Sequence, residues 1–174
     1  MKTSETLADW YDDHGEAVLT YIYVMVRDYQ LAEDLTQETF VKAYRHFNQF
    51  QRQSSSRTWL FRIAQNATKD HFRKKNPLIR YFSLTLTEPD SSPLPSELME
   101  MSEQQEALFG SLQNLKPTYR QVTTLRMLKE FSTKETAEIL GWSESKVKST
   151  LARALKELKT ELIKGGFDYD AITR

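Results

Sequence analysis

Cysteine is absent from the 174 residues, so neither disulfides nor thiolate metal sites can hold this fold. Glycine and proline are scarce, five of each, and strand-like alternation is sparse, which leaves the many helix formers to set the class as all-α. No apolar run approaches the roughly 20 residues needed to span a bilayer, and Met1-Lys2-Thr3-Ser4-Glu5 lacks the apolar core of a signal peptide. The expectation is a cytoplasmic protein with no direct membrane insertion. His14, His46 and His71 are dispersed with no metal-ligand spacing, and no carboxylate cluster, nucleophile–base pair or phosphate-cradling glycine loop stands out. A non-enzyme without catalytic residues, metal or cofactor is expected.

Excess charge of one sign is also missing, since 24 basic residues balance 24 acidic ones. The balance is segmental. From Met1 to Phe40 nine acids face Lys2 and Arg27, a net of −7, whereas from Arg57 to Arg80 seven bases face Asp70, a net of +6. Such asymmetry suggests two partners, one suited to an acidic surface and one a polyanion. From Tyr81 to Leu115 there is no Lys or Arg, while six acids accumulate among Pro89, Pro93 and Pro95. This composition reads as an acidic interdomain linker whose later part, from about Ser96, turns helical.

The chain therefore divides into two small helical domains, residues 1–80 and 106–174, joined by an acidic flexible linker, 81–105. In the first, Leu7, Tyr11, Val18, Ile22 and Val26 form one helical stripe, interrupted near His14-Gly15, which reads as one or two helices. A further helix is expected from Gln30 to about Phe47, with Leu35, Phe40, Val41, Tyr44 and Phe47 inward and Glu33, Asp34, Gln37, Glu38 and Lys42 outward. Polar Asn48 to Arg57 reads as a loop. Thr58 to Lys75 reads as a helix burying Leu60, Ile63, Ala64 and Ala67 and stopping where Asn76 precedes Pro77. Beyond the linker, Leu108, Leu112 and Leu115 align, and Pro117 opens a helix with Val122, Leu125, Met127 and Leu128 as packing residues.

The most informative stretch runs from Ser132 to Leu162. Ser132 and Glu135 make a capping box, Ala137, Ile139 and Leu140 an apolar face, and Gly141 a tight turn. Ser143 restarts the chain as an N-cap, and Val147, Leu151, Ala154, Leu155, Leu158 and Leu162 recur at helical spacing. The opposite face carries Ser145, Lys146, Lys148, Ser149, Arg153 and Lys156. A short helix leading into one with small polar and cationic residues at its N-terminal exposed face suits a helix-turn-helix DNA reader. An amphipathic hairpin with a solvated basic face is the plainer alternative.

Taken together, A-E-D-L-T-Q-E-T-F (Ala32 to Phe40), R-T-W-L-F-R-I-A-Q-N (Arg57 to Asn66) followed by R-K-K, and the terminal helix-turn-helix resemble a bacterial sigma factor of the extracytoplasmic-function (ECF) class. The resemblance spans nearly the whole chain except the linker, with three motifs in the family's order. It implies a transcription initiation factor that binds core RNA polymerase, recognises the −35 and −10 promoter elements and nucleates opening. A stand-alone helix-turn-helix regulator is the alternative, and it leaves the acidic helix and the basic helix unexplained. The resemblance implies polymerase contacts at Asp34, Leu35, Gln37, Glu38 and Phe40, and −10 contacts at Asn66, Lys69, Asp70, Arg73 and Lys74. It further implies a base-capturing loop with Asn48, Gln49 and Arg52, and −35 contacts from Ser143, Ser145, Lys146, Lys148, Ser149 and Arg153. An anti-sigma factor is an implied partner.

Several positions depart from or complicate the pattern. Family loops often hold Gly and a second aromatic where this chain aligns Arg52 and Ser56, and many relatives carry Arg where Thr150 stands. Trp59 and Phe61 both invite a role as platforms for an unstacked base, and for Trp59 a core anchor at the helix start is the other reading.

Overall fold

The computed structural model describes residues 5–75 and 102–167. The expected linker to residue 101, the Asn76-Pro77 helix stop and the extreme N-terminus lie outside them. Seven α-helices, and no strand, occur among the described residues: α1 (Leu7–Val26), α2 (Tyr29–His46), α3 (Ser56–Lys75), α4 (Glu103–Asn114), α5 (Pro117–Thr123), α6 (Thr133–Leu140) and α7 (Glu144–Lys164).

Local chemistry sets most boundaries. Thr6 and Asp9 form a capping box before α1, which ends at Arg27 in the left-handed region, with Asp28 capping α2 at once. The expected break at His14-Gly15 does not occur. One glycine costs about 1 kcal/mol in a helix, less than the gain from keeping Trp10, Val18, Tyr21 and Ile22 on one buried stripe. Helix α4 begins at Glu103 behind its cap Ser102, so residues 102–105 belong to a helix rather than to the linker. Pro117 stands at the first position of α5, as its fixed φ favours. That helix runs into a π-helical turn, Thr124–Leu128, closed by the bond from Lys129 N–H to the Thr124 carbonyl at 2.9 Å.

Helices α1, α2 and α3 pack mutually around Tyr21, Leu35, Leu60, Phe61 and Ala64, while α4, α5 and α6 pack with α7 around Leu112, Val122, Val147 and Leu158. The two groups touch: α6 lies on α3, and Leu125, Phe131 and Ile139 join the core of the first group. Four side chains expected inward face solvent instead: Val41 and Tyr44 of α2, and Met127 and Leu128 of the π turn. Val41 and Tyr44 fall at helical steps from Asp34, Gln37 and Glu38, on the face of α2 opposite Ala32, Thr36 and Ala43, and so lie on its solvent side.

Candidate nucleic-acid and partner interfaces

The acidic stretch lies along α2. Asp34, Gln37 and Glu38 are exposed, with Glu38 paired to Lys42 at 2.6 Å and Asp34 accepting from the Gln30 amide at 3.3 Å. Leu35 and Phe40 are only 3% and 7% exposed, so their side chains anchor α2 in the core beneath this face rather than standing on it. Two uncovered side chains continue the face, Tyr44, which is 71% exposed, and Val41. Beside it Tyr11, packed edge-on to Phe40 at 5.0 Å, helps to line a groove of about 370 Å³ between α1 and α2 with Asp12, Glu16, Glu33 and Gln37. The surface is thus acidic with aromatic and aliphatic points, suited to a basic partner helix that brings apolar anchors.

The loop after α2 is held by rings. Trp10 meets Phe47 at 5.0 Å, Phe50 at 5.1 Å and Trp59 at 5.8 Å, and Phe50 meets Trp59 at 5.2 Å. This quartet ties α1, the loop and the start of α3 together, and Trp59 takes the core-anchor reading as a half-buried member of it. Trp10, Phe47 and Phe50 carry no local sequence signal of this role because their partners are distant in the chain. Between the rings the loop offers Asn48, Gln49 and Arg52 to solvent. His46 Nδ1 lies 3.2 Å from Gln49 Oε1. Arg52 has φ +53°, a left-handed backbone that costs a non-glycine residue about 1 kcal/mol.

On α3, Arg62, Asn66, Lys69 and Arg73 recur at three- and four-residue steps and are all exposed, as is Lys74. Asp70 is half-buried and holds Arg73 at 3.0 Å, so it moderates one cation of the face and orients it. The opposite face is sealed, with the Tyr21 hydroxyl donating to Gln65 Oε1 at 2.6 Å, and burial raises the Tyr21 pKa.

The helix-turn-helix has the anticipated caps. Ser132 Oγ accepts from Glu135 N–H, the Glu135 carboxylate accepts from Ser132 N–H at 2.7 Å, Gly141 has φ +68°, and Ser143 Oγ accepts from Lys146 N–H at 3.1 Å. That Ser132 N–H is the main reason the Glu135 carboxyl titrates below its usual range. Along α7, Val147, Thr150, Ala154, Leu158 and Leu162 are buried, whereas Ser143, Ser145, Lys146, Lys148, Ser149 and Arg153 are exposed. Lys146 Nζ sits 4.3 Å over the Trp142 ring, which holds it near the start of the helix. Thr150 is buried on the packed side of α7, away from these exposed residues.

Two residues were invisible to sequence reasoning. Arg120 is buried beside the end of α1, donating to the carbonyls of Leu112, Gln113, Leu115 and Met25, and burial lowers its pKa to about 10. Arg57 leaves the basic α3 face and turns to the second helix group. No group of three or more His, Asp or Glu able to hold a metal occurs among the described residues, and none of their helices is long and apolar enough to cross a membrane.

Comparison with known proteins bears on the whole arrangement. Residues 10–77 match the family model Sigma-70 region 2 and residues 105–158 match Sigma-70, region 4. The chain is 35% identical to RNA polymerase sigma factor YlaC of Bacillus subtilis (strain 168), covering 94% of this chain and 96% of that protein. It is 34% identical to the ECF RNA polymerase sigma factor SigM of the same organism, covering 88% and 93%. The fold is similar to that of sigma factor RpoE in complex with the anti-sigma factor NepR from Bartonella quintana, at a TM-score of 0.71 and 24% identity over 90% of this chain and 97% of that one. It is also similar to CnrH in complex with the cytosolic domain of CnrY, at 0.66 and 23% over 91% and 88%. An acidic helix, a basic helix behind a ring-braced loop and a capped helix-turn-helix, in that order and at this similarity, make one conclusion: the chain belongs to the extracytoplasmic-function sigma factors, the transcription initiation factors of bacterial RNA polymerase.

Proposed function

We propose the following division of labour. The α2 face with Asp34, Gln37 and Glu38, extended by Val41 and Tyr44, grips core RNA polymerase. Loop residues Asn48, Gln49 and Arg52 with α3 residues Asn66, Lys69, Arg73 and Lys74 hold the −10 element, Asp70 acting through Arg73. Helix α7 reads −35 duplex through Ser145, Lys146, Lys148, Ser149 and Arg153, Ser143 serving as its cap. The supporting observation is the segregation of charge: the exposed cations of α3 and α7 stand on faces turned away from their cores, and the acids stand on α2.

Energetics limit what the first domain does to DNA. Stacking is worth about 1.4 kcal/mol per step, so melting roughly ten pairs costs on the order of 14 kcal/mol. Capturing one or two extruded bases costs only a few kcal/mol each, within reach of a loop and a basic helix. The chain therefore nucleates opening by trapping flipped bases, and polymerase contacts supply the rest. This is a regulatory role without bond chemistry of its own, exercised in the cytoplasm. An anti-sigma factor, as NepR is to the similar sigma factor RpoE, is the expected antagonist.

Run-off transcription of genomic fragments with core polymerase plus this protein tests the reading. Defined start sites that require both are expected, and their absence on every fragment overturns it. Tight, specific promoter binding by the free protein, with no dependence on polymerase, would favour the stand-alone regulator.

A further inference from the structure

Helices α1, α4 and α6 each place an acceptor at the third helical position, Asp9, Gln105 and Glu135, whose side chain accepts from the N–H of the cap residue and closes a capping box. Helix α7 is capped by Ser143, which accepts from Lys146 N–H at 3.1 Å, but the residue at its third position is Lys146 itself. An ammonium has no lone pair with which to close the box. It also stands at the positive end of the helix dipole. A lysine at that place therefore costs local stability, and departures of this kind from local rules mark functional positions.

Trp142 offsets part of that cost. Its backbone is fixed in the turn, because Gly141 N–H and Trp142 N–H both donate to the Ala137 carbonyl, the second at 2.9 Å. Its half-buried side chain packs on the second core, to which Val147 also belongs, and the two residues have the spacing of a hydrophobic staple. Over this anchored ring lies Lys146 Nζ, 4.3 Å from the centroid, on a side chain otherwise exposed to solvent. A flexible stem thus has a favoured position before any ligand arrives. Trp142, Lys146, Ser149 and Arg153 follow one another at steps of three or four residues, so the held cation lies in line with two exposed residues of the reading face.

We propose that Trp142 is a positioning residue for promoter binding: its ring holds the Lys146 ammonium in place as an anchor for a DNA phosphate at the start of α7, and base edges are left to the other exposed side chains. The proposal rests on the reading above that α7 addresses the −35 duplex. Lysine is a point charge without the planar fork of arginine, which suits it to phosphate. A lysine that is free in solution loses rotamer freedom when it settles on a phosphate, and the ring removes much of that loss beforehand. Losing the ring therefore lowers affinity without changing the number of phosphates contacted, whereas losing the lysine removes one contact.

Two measurements test this. In nuclear magnetic resonance spectra of the free chain, the Trp142 ring current should shift the Lys146 ε-methylene protons upfield, and Trp142→Leu, which keeps an apolar side chain but removes the ring, should return them to ordinary positions. Holoenzyme formed from core polymerase and the full chain is then titrated with promoter duplex over a range of salt. Trp142→Leu should weaken binding about fivefold with the salt slope unchanged and helical circular dichroism retained. Lys146→Gln should weaken binding alike on all −35 sequences and lower the salt slope by about one. The double variant should bind no more weakly than Lys146→Gln alone, and Trp142→Phe should stay near wild type. Ordinary Lys146 shifts in the wild type overturn the proposal, as does wild-type affinity in Trp142→Leu. So does an equal loss from Trp142→Leu when Lys146 is already Gln, which makes the ring a packing residue only, or a change of preference at a single base pair in Lys146→Gln. Absence of any run-off product with the wild-type protein overturns the functional reading on which the proposal rests, and is told apart because the spectral shift needs neither DNA nor polymerase.

Discussion

Helices α2 and α7 carry comparable apolar stripes and meet different fates. In α7 Val147, Ala154, Leu158 and Leu162 are buried and Leu151 and Leu155 half-buried, and the polar face is left for another molecule. In α2 apolar residues stand on both faces: Leu35, Phe40 and Ala43 are buried, while Val41 and Tyr44 stand in solvent on the opposite side, beside Asp34, Gln37 and Glu38. An apolar residue at the right period is therefore not automatically a core residue. Where apolar residues stand on the outward face among charged ones, that face has the composition of a docking site.

The difference is sharpest in stability. Leu158→Ala should cost about 3 kcal/mol, the usual penalty for truncating a buried leucine, and should lower the urea midpoint accordingly. Tyr44→Ala should change stability by less than about 0.5 kcal/mol, because the side chain is solvated already. If Tyr44→Ala unfolds the protein as readily, the two stripes are equivalent and the docking argument for α2 fails.

Next in size is the charge of α2. Reversing Asp34 and Glu38 to Lys together should weaken core-polymerase binding about 100-fold, by loss of favourable pairs and gain of repulsion, with helical circular dichroism unchanged. Retained affinity would place the polymerase contact elsewhere. A smaller and opposite pattern is expected on α7, where Arg153→Ala should weaken −35 binding about tenfold and leave affinity for core polymerase intact. A loss of core affinity in Arg153→Ala would merge two surfaces that the charge segregation separates.

These contrasts also show what a linear reading can reach. The second helix group was legible because its signals are local: Ser132 with Glu135, Gly141 at positive φ and Ser143 act within three or four residues of themselves. The basic α3 face followed from charge counts in the same way. Side chains whose roles depend on distant partners were not legible. The ring quartet joins Trp10 to Trp59 across the whole first group, and Arg57 meets Lys129 across 72 positions. Gly15 misled for a related reason, since the tertiary packing that carries α1 through it cannot be seen locally.

Glu135 gives the smallest effect and the finest test, because it serves a local signal and a distant one at once. Its carboxylate caps α6 through Ser132 N–H and reaches Thr58 of α3. The folded state therefore holds its pKa below the unfolded value, chiefly through the Ser132 bond. A carboxyl with a depressed folded pKa contributes stability that is fully present above its unfolded pKa and is lost as pH falls through the folded pKa. Glu135→Gln should thus cost about 1 kcal/mol at pH 7, typical of a lost capping interaction. The gap between wild type and variant should narrow steadily as the pH is lowered below the ordinary carboxylate range, read as converging urea midpoints. A gap constant with pH would mean that the glutamate acts through shape and hydrogen bonding common to both side chains, and that its charge contributes nothing to the fold.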